Sequence, residues 1–179
     1  MGSVAAFLAR ASVASADDVP APAKGTPKPR ASDVTSLPEH RPIAWKMDVL
    51  DGQPFDLAAY RGKVVFVNIF ATWCATCRAE QPAVVTFSEQ HPDTIVIGMN
   101  YKEQDSDVRA YRKAFDIAYP IAMDRRGTLL PAVYKDERVQ LPMTIVFRPD
   151  GTVSAAWAGD RTLAWLERER DAALAGPAA

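Results

Sequence analysis

The chain has 179 residues, of which 48% are hydrophobic and 24% charged, and its formal net charge is −1. This length supports one well-buried core and is short for two. The near-neutral charge and the lack of a concentrated run of Lys and Arg argue against a nucleic-acid-binding surface. Two cysteines are too few for a disulfide scaffold, which a core of this size does not need.

The N-terminal part differs in composition from the rest of the chain. Residues 1–16 resemble the end of a secretory signal, because the small-residue stretch Ala-Ser-Ala precedes Asp17 and Asp18. The apolar run of this signal is short and Arg10 interrupts it. A disordered tail rich in Ala and Ser is therefore the alternative. Residues 17–42 are rich in proline and predict an extended linker, which leaves residues 43–179 as one folded domain.

The domain predicts alternating strands and helices. Nearly continuous apolar runs indicate buried strands, and a turn signal between two such runs indicates a hairpin. The predicted strands are a short hairpin around Asp51-Gly52 within 43–57, single strands at 63–70, 94–100 and 119–124, and a hairpin at 143–148 and 152–159. The predicted helices are 75–90, 106–115 with Asp105 or Ser106 as N-cap, 127–134, and 161–174 with Leu163, Leu166 and Leu174 docked on the sheet.

This order predicts an α/β fold with a mixed central sheet, helices on both faces and an N-terminal β-hairpin extension. The strand at 63–70, the helix at 75–90 and the strand at 94–100 form a right-handed βαβ unit. Reactive groups in open α/β sheets lie at the carboxyl ends of the strands. That is where the first of these strands leads into the stretch ATWCATC.

Both cysteines lie in this stretch, as Cys74 and Cys77. They could form a structural bridge, half of a metal site, or a pair that opens and closes. Cys74 falls at the start of the helix, where unpaired backbone N–H groups and the helix dipole favour a thiolate. Cys77 falls on the same helix face at ~5–6 Å between Cβ atoms, within reach of a disulfide after small adjustments.

The other two interpretations are weaker. A bridge that closes so short a loop removes little chain entropy and stabilises a fold poorly. A structural zinc needs four ligands, and besides the cysteines the chain offers only His40 in the linker and His91 beside Pro92. The sequence therefore favours a redox-active pair, with no metal and no other cofactor expected.

Three motifs in order resemble the thioredoxin-like proteins, and among them the exported reductases of the TlpA, ResA and CcmG (DsbE) type. They are RGKVVFVNIFATWCATCRAEQP at 61–82, GMNYKE at 98–103 and LPMTIVFRPDG at 141–151. The resemblance covers about residues 41–175. It implies a thioredoxin-like fold for the domain predicted above.

The resemblance also implies roles for single residues. Cys74 is the nucleophile and Cys77 the buried resolving thiol, with Trp73 as the aromatic residue before the nucleophile. Pro142 is the cis-proline opposite the disulfide, which leaves the backbone of Leu141 to pair with substrate; an ordinary trans proline entering a strand is the alternative. Pro82 is the proline inside the active-site helix, where a bend is expected.

Two glutamates match acidic positions of the family. Glu80 is implied to move protons for Cys77 and to tune its pKa, and the alternative is a solvated helix glutamate near Arg78. Glu103 matches an acidic position of the CcmG motif, but an ordinary surface residue is the favoured interpretation. Trp73, Ala75 and Thr76 are expected to contact substrate together with Leu141. Ala75 and Thr76, between the cysteines, lack the proline common among reductases, which affects substrate choice and redox potential.

The resemblance implies a thiol:disulfide oxidoreductase that acts as a periplasmic reductant, either free or held at the membrane by its N-terminus. Its implied partners are protein disulfides, such as those of apocytochrome c or a copper-site chaperone, and a membrane thiol carrier of the CcdA or DsbD type. We expect a monomer without nucleic-acid partners. The alternatives are a disulfide oxidant or isomerase, and a non-catalytic binding module that uses the same fold.

Overall fold

The computed structural model describes residues 42–129 and 140–176. The signal-like segment 1–16 and nearly all of the linker 17–42 therefore lie outside the described residues. So does most of the predicted helix at 127–134.

The strands and helices follow the predicted order. The strands are β1 Lys46–Met47, β2 Phe55–Asp56, β3 Val65–Phe70, β4 Ile95–Tyr101, β5 Ile121–Asp124, β6 Met143–Phe147 and β7 Val153–Ala158. The helices are a 3-10 helix at Leu57–Tyr60, α1 Ala75–Gln90, α2 Asp105–Ala114 and α3 Leu163–Ala175.

The central sheet has five strands in the order β5-β4-β3-β6-β7. β3, β4 and β5 run parallel, whereas β6 pairs antiparallel with β3 and β7 antiparallel with β6. β1 and β2 form a separate antiparallel pair before the sheet. The predicted mixed sheet and N-terminal hairpin are confirmed.

Two apolar clusters cover the two faces of the sheet. The buried apolar residues of α1, α2 and α3 share one cluster with Phe66 and Phe70 of β3. The other cluster joins Val65, Val67 and Ile69 to the hairpin and to Leu57 of the 3-10 helix. Helices were predicted on both faces, but among the described residues the three α-helices lie on one face, and the hairpin with its short 3-10 helix covers the other.

Two local predictions were wrong. The N-cap of α2 is Gln104, and Asp105 is already helical; its carboxylate instead accepts from Arg125 Nε at 2.8 Å. In α3, Leu166 is buried and Leu163 packs against the core, but Leu174 is 52% exposed. Trp165 and Ala173 are the other buried residues of this helix, so its apolar face is rotated away from Leu174.

Candidate active site

Cys74 and Cys77 form a disulfide at the start of α1, with their Cα atoms 5.2 Å apart. Cys74 is the N-cap residue, and its Sγ accepts from the backbone N–H of Cys77 at 3.2 Å. That N–H is one of the unpaired donors of the first helical turn, so the helix end places a donor at this sulfur. Cys74 is 7% exposed and Cys77 is 1% exposed, which makes Cys74 the more accessible sulfur.

The exposed residues around the disulfide are those predicted to contact substrate. Trp73 is 71% exposed directly before Cys74, and Ala75 and Thr76 are exposed in the first turn of α1. Pro82 lies inside α1, as predicted, and cannot donate to the carbonyl of Arg78. These residues leave a surface beside Cys74 that a protein segment can approach.

Glu103 is partly buried and holds the loop that leads to Cys74. Its carboxylate accepts from the backbone N–H of Thr72 at 2.7 Å and from the Thr72 hydroxyl at 2.5 Å. Asn100 Nδ2 donates to the same carboxylate at 2.5 Å. The interpretation of Glu103 as an ordinary surface residue was therefore wrong, because β4 ends where this side chain can reach the loop after β3.

Pro142 lies at the same edge of the sheet. The Leu141–Pro142 peptide bond is cis, as expected, and the Pro142 carbonyl accepts from Gly159 N at 2.7 Å. Met143 pairs with Ile69 near the end of β3, so Pro142 lies level with the start of the loop that carries Cys74. Leu141 is half-buried beside it.

Glu80 is buried, with only 3% of its surface exposed. Its Oε1 accepts from Asn68 Nδ2 at 2.7 Å, and its Oε2 accepts from the backbone N–H of Arg161 at 2.8 Å. It stands one turn after Cys77, so the two side chains are neighbours on the helix surface. The alternative of a solvated glutamate was wrong.

Burial raises the pKa of Glu80 to about 7, because desolvation penalises the charged form. The hydrogen bond from Asn68 is the largest opposing influence, followed by the backbone N–H of Arg161 and its positive charge. A carboxyl group with a pKa near neutrality can take up and release protons under ordinary conditions. The site therefore holds a proton-exchanging group one helical turn from Cys77.

Asn68 was missed in the sequence analysis. It is the only polar residue of β3, a strand in which all six residues are buried. One amide within an otherwise apolar buried strand needs a hydrogen-bond partner, and that mismatch was a signal available in the sequence. The identity of its partner depends on the packing of α1 over β3, which the sequence does not state.

A second polar group follows Glu80 on α1. Gln81 is fully buried; it donates through Nε2 to the Tyr119 hydroxyl, and its Oε1 accepts from the Tyr111 hydroxyl at 3.2 Å. Tyr111 also donates to the carbonyl of Cys77 at 3.4 Å. The sequence analysis did not predict this network, because its hydrogen bonds join α1 to residues 30 to 38 positions away in the chain.

Arg161 connects Glu80 to the end of β7. Its guanidinium lies over the rings of Trp157 and Trp165, at 5.0 and 5.1 Å from their centroids. Its Nη2 donates to the Ala158 carbonyl at 2.7 Å. These contacts hold the loop whose backbone N–H reaches Glu80.

No group of three or more His, Cys, Asp or Glu side chains within residues 42–129 and 140–176 is arranged to hold a metal ion. None of the helices in those two ranges has an apolar stretch long enough to span a bilayer.

Comparison with known proteins gives the family of the chain. Residues 25–168 match the Redoxin family. The chain belongs to the Redoxin family. ResA, a thiol-disulfide oxidoreductase of Geobacillus kaustophilus, is 30% identical over 124 residues, which cover 66% of this chain and 68% of that protein. The thioredoxin-like protein YneN of Bacillus subtilis is 27% identical over 132 residues, covering 71% and 75% of the two chains.

Solved structures agree with this assignment. A thiol:disulfide interchange protein of the thioredoxin family from Chlorobium tepidum superimposes with a TM-score of 0.64 at 30% identity, covering 75% of this chain and 97% of that one. A secreted Mycobacterium tuberculosis disulfide oxidoreductase homologous to DsbE of E. coli has a TM-score of 0.63 at 19% identity, with coverages of 72% and 96%. The second match supports the thioredoxin-like fold alone.

This Redoxin protein is a thiol-disulfide oxidoreductase whose substrates are protein thiols. Its only cysteines, Cys74 and Cys77, are the pair that forms the disulfide at the head of α1.

Proposed function

We propose that the protein reduces protein disulfides outside the cytoplasm, with Cys74 as the attacking thiol and Cys77 as the resolving thiol. The observation that carries this proposal is the disulfide at the start of α1, in which the more accessible sulfur is also the N-cap. A thiolate at Cys74 would gain the N–H of Cys77 as a donor, and a favoured thiolate makes an attacking thiol.

The reaction proceeds in two exchanges. The Cys74 thiolate attacks one sulfur of a substrate disulfide; the substrate S–S bond breaks, and the other substrate sulfur leaves as a thiolate. The Cys77 thiolate then attacks Sγ of Cys74, which forms the Cys74–Cys77 bond and releases the second substrate sulfur. Two electrons pass from the cysteines to the substrate, whose two thiolates take up two protons.

Glu80 accepts the proton of Cys77 in the second exchange. A buried thiol releases its proton only to a nearby group of suitable pKa, and Glu80 has a pKa of about 7 one turn away. Cis-Pro142 and the backbone of Leu141 align an extended substrate segment beside the disulfide. Trp73, Ala75 and Thr76 contact that segment from the other side.

The residues around Cys74 indicate that the protein is a reductant and not an oxidant. Ala75 and Thr76 carry no charge, and the Arg78 guanidinium lies over the rings of Tyr111 and Phe115, at 5.8 and 5.2 Å from their centroids. The helix end favours an anion by ~0.3–1 kcal/mol at an exposed position and by up to ~2 kcal/mol at a partly buried one. A change of 30 mV in a two-electron couple corresponds to about 1.4 kcal/mol. The stabilisation of the thiolate by the helix end is therefore too small to raise the reduction potential of the pair to that of a strong oxidant.

The substrates we propose are the cysteines of apocytochrome c or of a copper-site chaperone. A membrane thiol carrier of the CcdA or DsbD type returns the electrons. Two features support export: the signal-like N-terminus and the similarity to ResA. We expect the exported protein to be a monomer.

The reduction potential of the pair tests this direction. Equilibration against a glutathione or dithiothreitol series should give a midpoint nearer to about −270 mV, the thioredoxin value, than to about −120 mV, the DsbA value. A midpoint less negative than about −180 mV would instead assign the protein to the oxidants or isomerases. Wild-type function in a variant lacking both cysteines would assign it to the binding modules.

A further inference from the structure

Asn68 is a buried amide at the centre of the molecule. It lies on β3, the middle strand of the five-stranded sheet, and only 2% of its surface is exposed. Its side chain reaches Glu80 on α1, so it points to the face that the helices cover. An apolar side chain there would continue the pattern of Phe66 and Phe70, which pack on the same face.

The orientation of this amide suits a charged glutamate. Asn68 Nδ2 donates to Glu80 Oε1 at 2.7 Å and to the Thr144 hydroxyl at 3.4 Å. Its Oδ1 is buried and has no hydrogen-bond partner among the described residues. Both donors of the amide are therefore used while its acceptor is not, although a buried acceptor without a partner costs about 1–3 kcal/mol.

A protonated Glu80 has the opposite requirement. A carboxylic acid carries an O–H that needs an acceptor, whereas the backbone N–H of Arg161 can only donate. The Asn68 amide can supply the acceptor if it turns by about 180° around its last side-chain bond, since its oxygen and nitrogen then exchange places. The Thr144 hydroxyl fits both orientations because it can accept from Nδ2 or donate to Oδ1.

We propose that Asn68 is a positioning residue that holds Glu80 in both of its protonation states, as a donor to the carboxylate and, after its amide turns over, as an acceptor from the carboxylic acid. Glu80 can then lose and regain a proton while α1 and β3 stay in place. The inference rests on the proton-accepting role proposed for Glu80. Asn68 is then the residue that lets Glu80 exchange a proton inside a packed core.

The other groups that influence Glu80 do not supply this exchange. Arg161 and Asp160, in the loop after β7, act on it with opposite charges. Tyr111 of α2 and Tyr119 before β5 have their pKa values raised, chiefly by burial, and the charge of Glu80 adds to both shifts. Cys77 is joined to Cys74 in the oxidised protein and has no proton there.

Carboxyl ¹³C NMR of the oxidised full-length protein tests the inference, with Glu80→Gln identifying the Glu80 resonance. Asn68→Leu should raise the midpoint of Glu80 by about one to two pH units, because the charged form loses a strong donor. If the Asn68→Leu variant does not fold, the smaller substitution Asn68→Ala replaces it and should also raise the midpoint of Glu80. Asn100→Leu is the matched control, because it removes a buried amide of β4 that donates to Glu103 and not to Glu80; it should leave the Glu80 midpoint unchanged.

The side-chain amide of Asn68 gives a readout that a purely structural role would not move. In the wild-type protein, its ¹H and ¹⁵N resonances should change with pH at the same midpoint as the Glu80 carboxyl resonance. Amide resonances that stay constant while Glu80 titrates would overturn the proposal, and so would an unchanged Glu80 midpoint in both Asn68 variants.

The activity assay separates this inference from the function proposed for Glu80. If Asn68→Leu moves the midpoint but Glu80→Gln exchanges disulfides as fast as wild type, the Asn68 contact is real and the catalytic role of Glu80 is wrong. If Glu80→Gln is slow while both Asn68 variants titrate like wild type, Glu80 acts in exchange and the inference about Asn68 is wrong.

Discussion

Glu80 and Gln81 are neighbours on α1 and are both almost fully buried, but their surroundings differ in kind. Glu80 faces an amide, a backbone N–H and the charged Arg161. Gln81 faces two tyrosine hydroxyls, one of which also bonds the carbonyl of Cys77. The Glu80 side can change its charge near neutral pH, whereas the Gln81 side consists of groups that stay neutral there.

This difference indicates that the contacts of Gln81 and those of Glu80 have separate roles near the cysteine pair. A neutral, satisfied network fixes the helix turn that carries Cys77 in one position. A buried carboxyl group with a pKa near 7 instead makes stability and reactivity depend on pH. Both networks contact the same two turns of α1, so substitutions on each side should have separable effects.

Substitutions of the two cysteines should have the largest effects on disulfide exchange. Cys77→Ser should accumulate mixed disulfides with partner proteins through Cys74, because the resolving attack is lost, whereas Cys74→Ser should accumulate none. Non-reducing electrophoresis after acid quenching measures the adducts. Faster alkylation of Cys77 than of Cys74 at limiting reagent in the reduced protein would mean that the assigned roles are reversed.

Glu80→Gln should slow the reduction of a protein disulfide by about 100-fold, the low end of general acid–base contributions. It should also lower the pKa of Cys77, since a nearby carboxylate disfavours the thiolate. Stopped-flow reduction and thiol titration measure the two effects. Glu89→Gln, at an exposed position of the same helix, is the control and should change neither. An unaltered thiol titration in Glu80→Gln would remove Glu80 from the site.

The same variant should change how stability depends on pH. The folded-state pKa of Glu80 is about 7, against an ordinary value of 4.5, so folding favours the protonated form. The stabilisation is complete below pH 4.5 and is lost as the pH rises through 7, by about 3 kcal/mol in all. Glu80→Gln should therefore gain stability relative to wild type over this range in urea unfolding. Parallel pH curves for the two proteins would contradict the burial argument.

On the Gln81 side, Tyr119→Phe should lower the free energy of unfolding by about 1–3 kcal/mol, because Nε2 of Gln81 loses its acceptor. The loss should be equal at pH 5 and pH 8, with disulfide exchange unchanged. Tyr60→Phe, in a half-buried ring stacked on Phe55, is the control and should cost less. A pH-dependent loss would mean that the two sides are coupled through α1.

The sequence predicted most of the fold because its signals are local. The bounds 75–90 for α1 agree with the structure, and so do the buried strand before it and the hairpin after Pro142. Leu174 was misplaced because the buried face of a terminal helix depends on where the helix docks. Thr162, as N-cap, and Trp165, packed on Trp157, fix that docking in α3.

The site was predicted unevenly for a similar reason. The positions of Cys74 and Cys77 follow from strand, helix and spacing, and those of Glu80 and Pro142 from the resemblance to a family. Asn68, Gln81 and Arg161 act through contacts between residues 12 to 81 positions apart in the chain. No local pattern encodes such contacts, although a lone amide in a buried strand pointed to one of them.

The most direct test of the account is the titration of the Glu80 carboxyl group in the oxidised wild-type protein, where no cysteine thiol competes. Carboxyl ¹³C NMR should show a single ionisation at a pH of about 7, absent from Glu80→Gln. A midpoint below the ordinary value of 4.5 would mean that Glu80 stays charged near neutral pH. Glu80 could then not accept the proton of Cys77, and the central claim would be wrong.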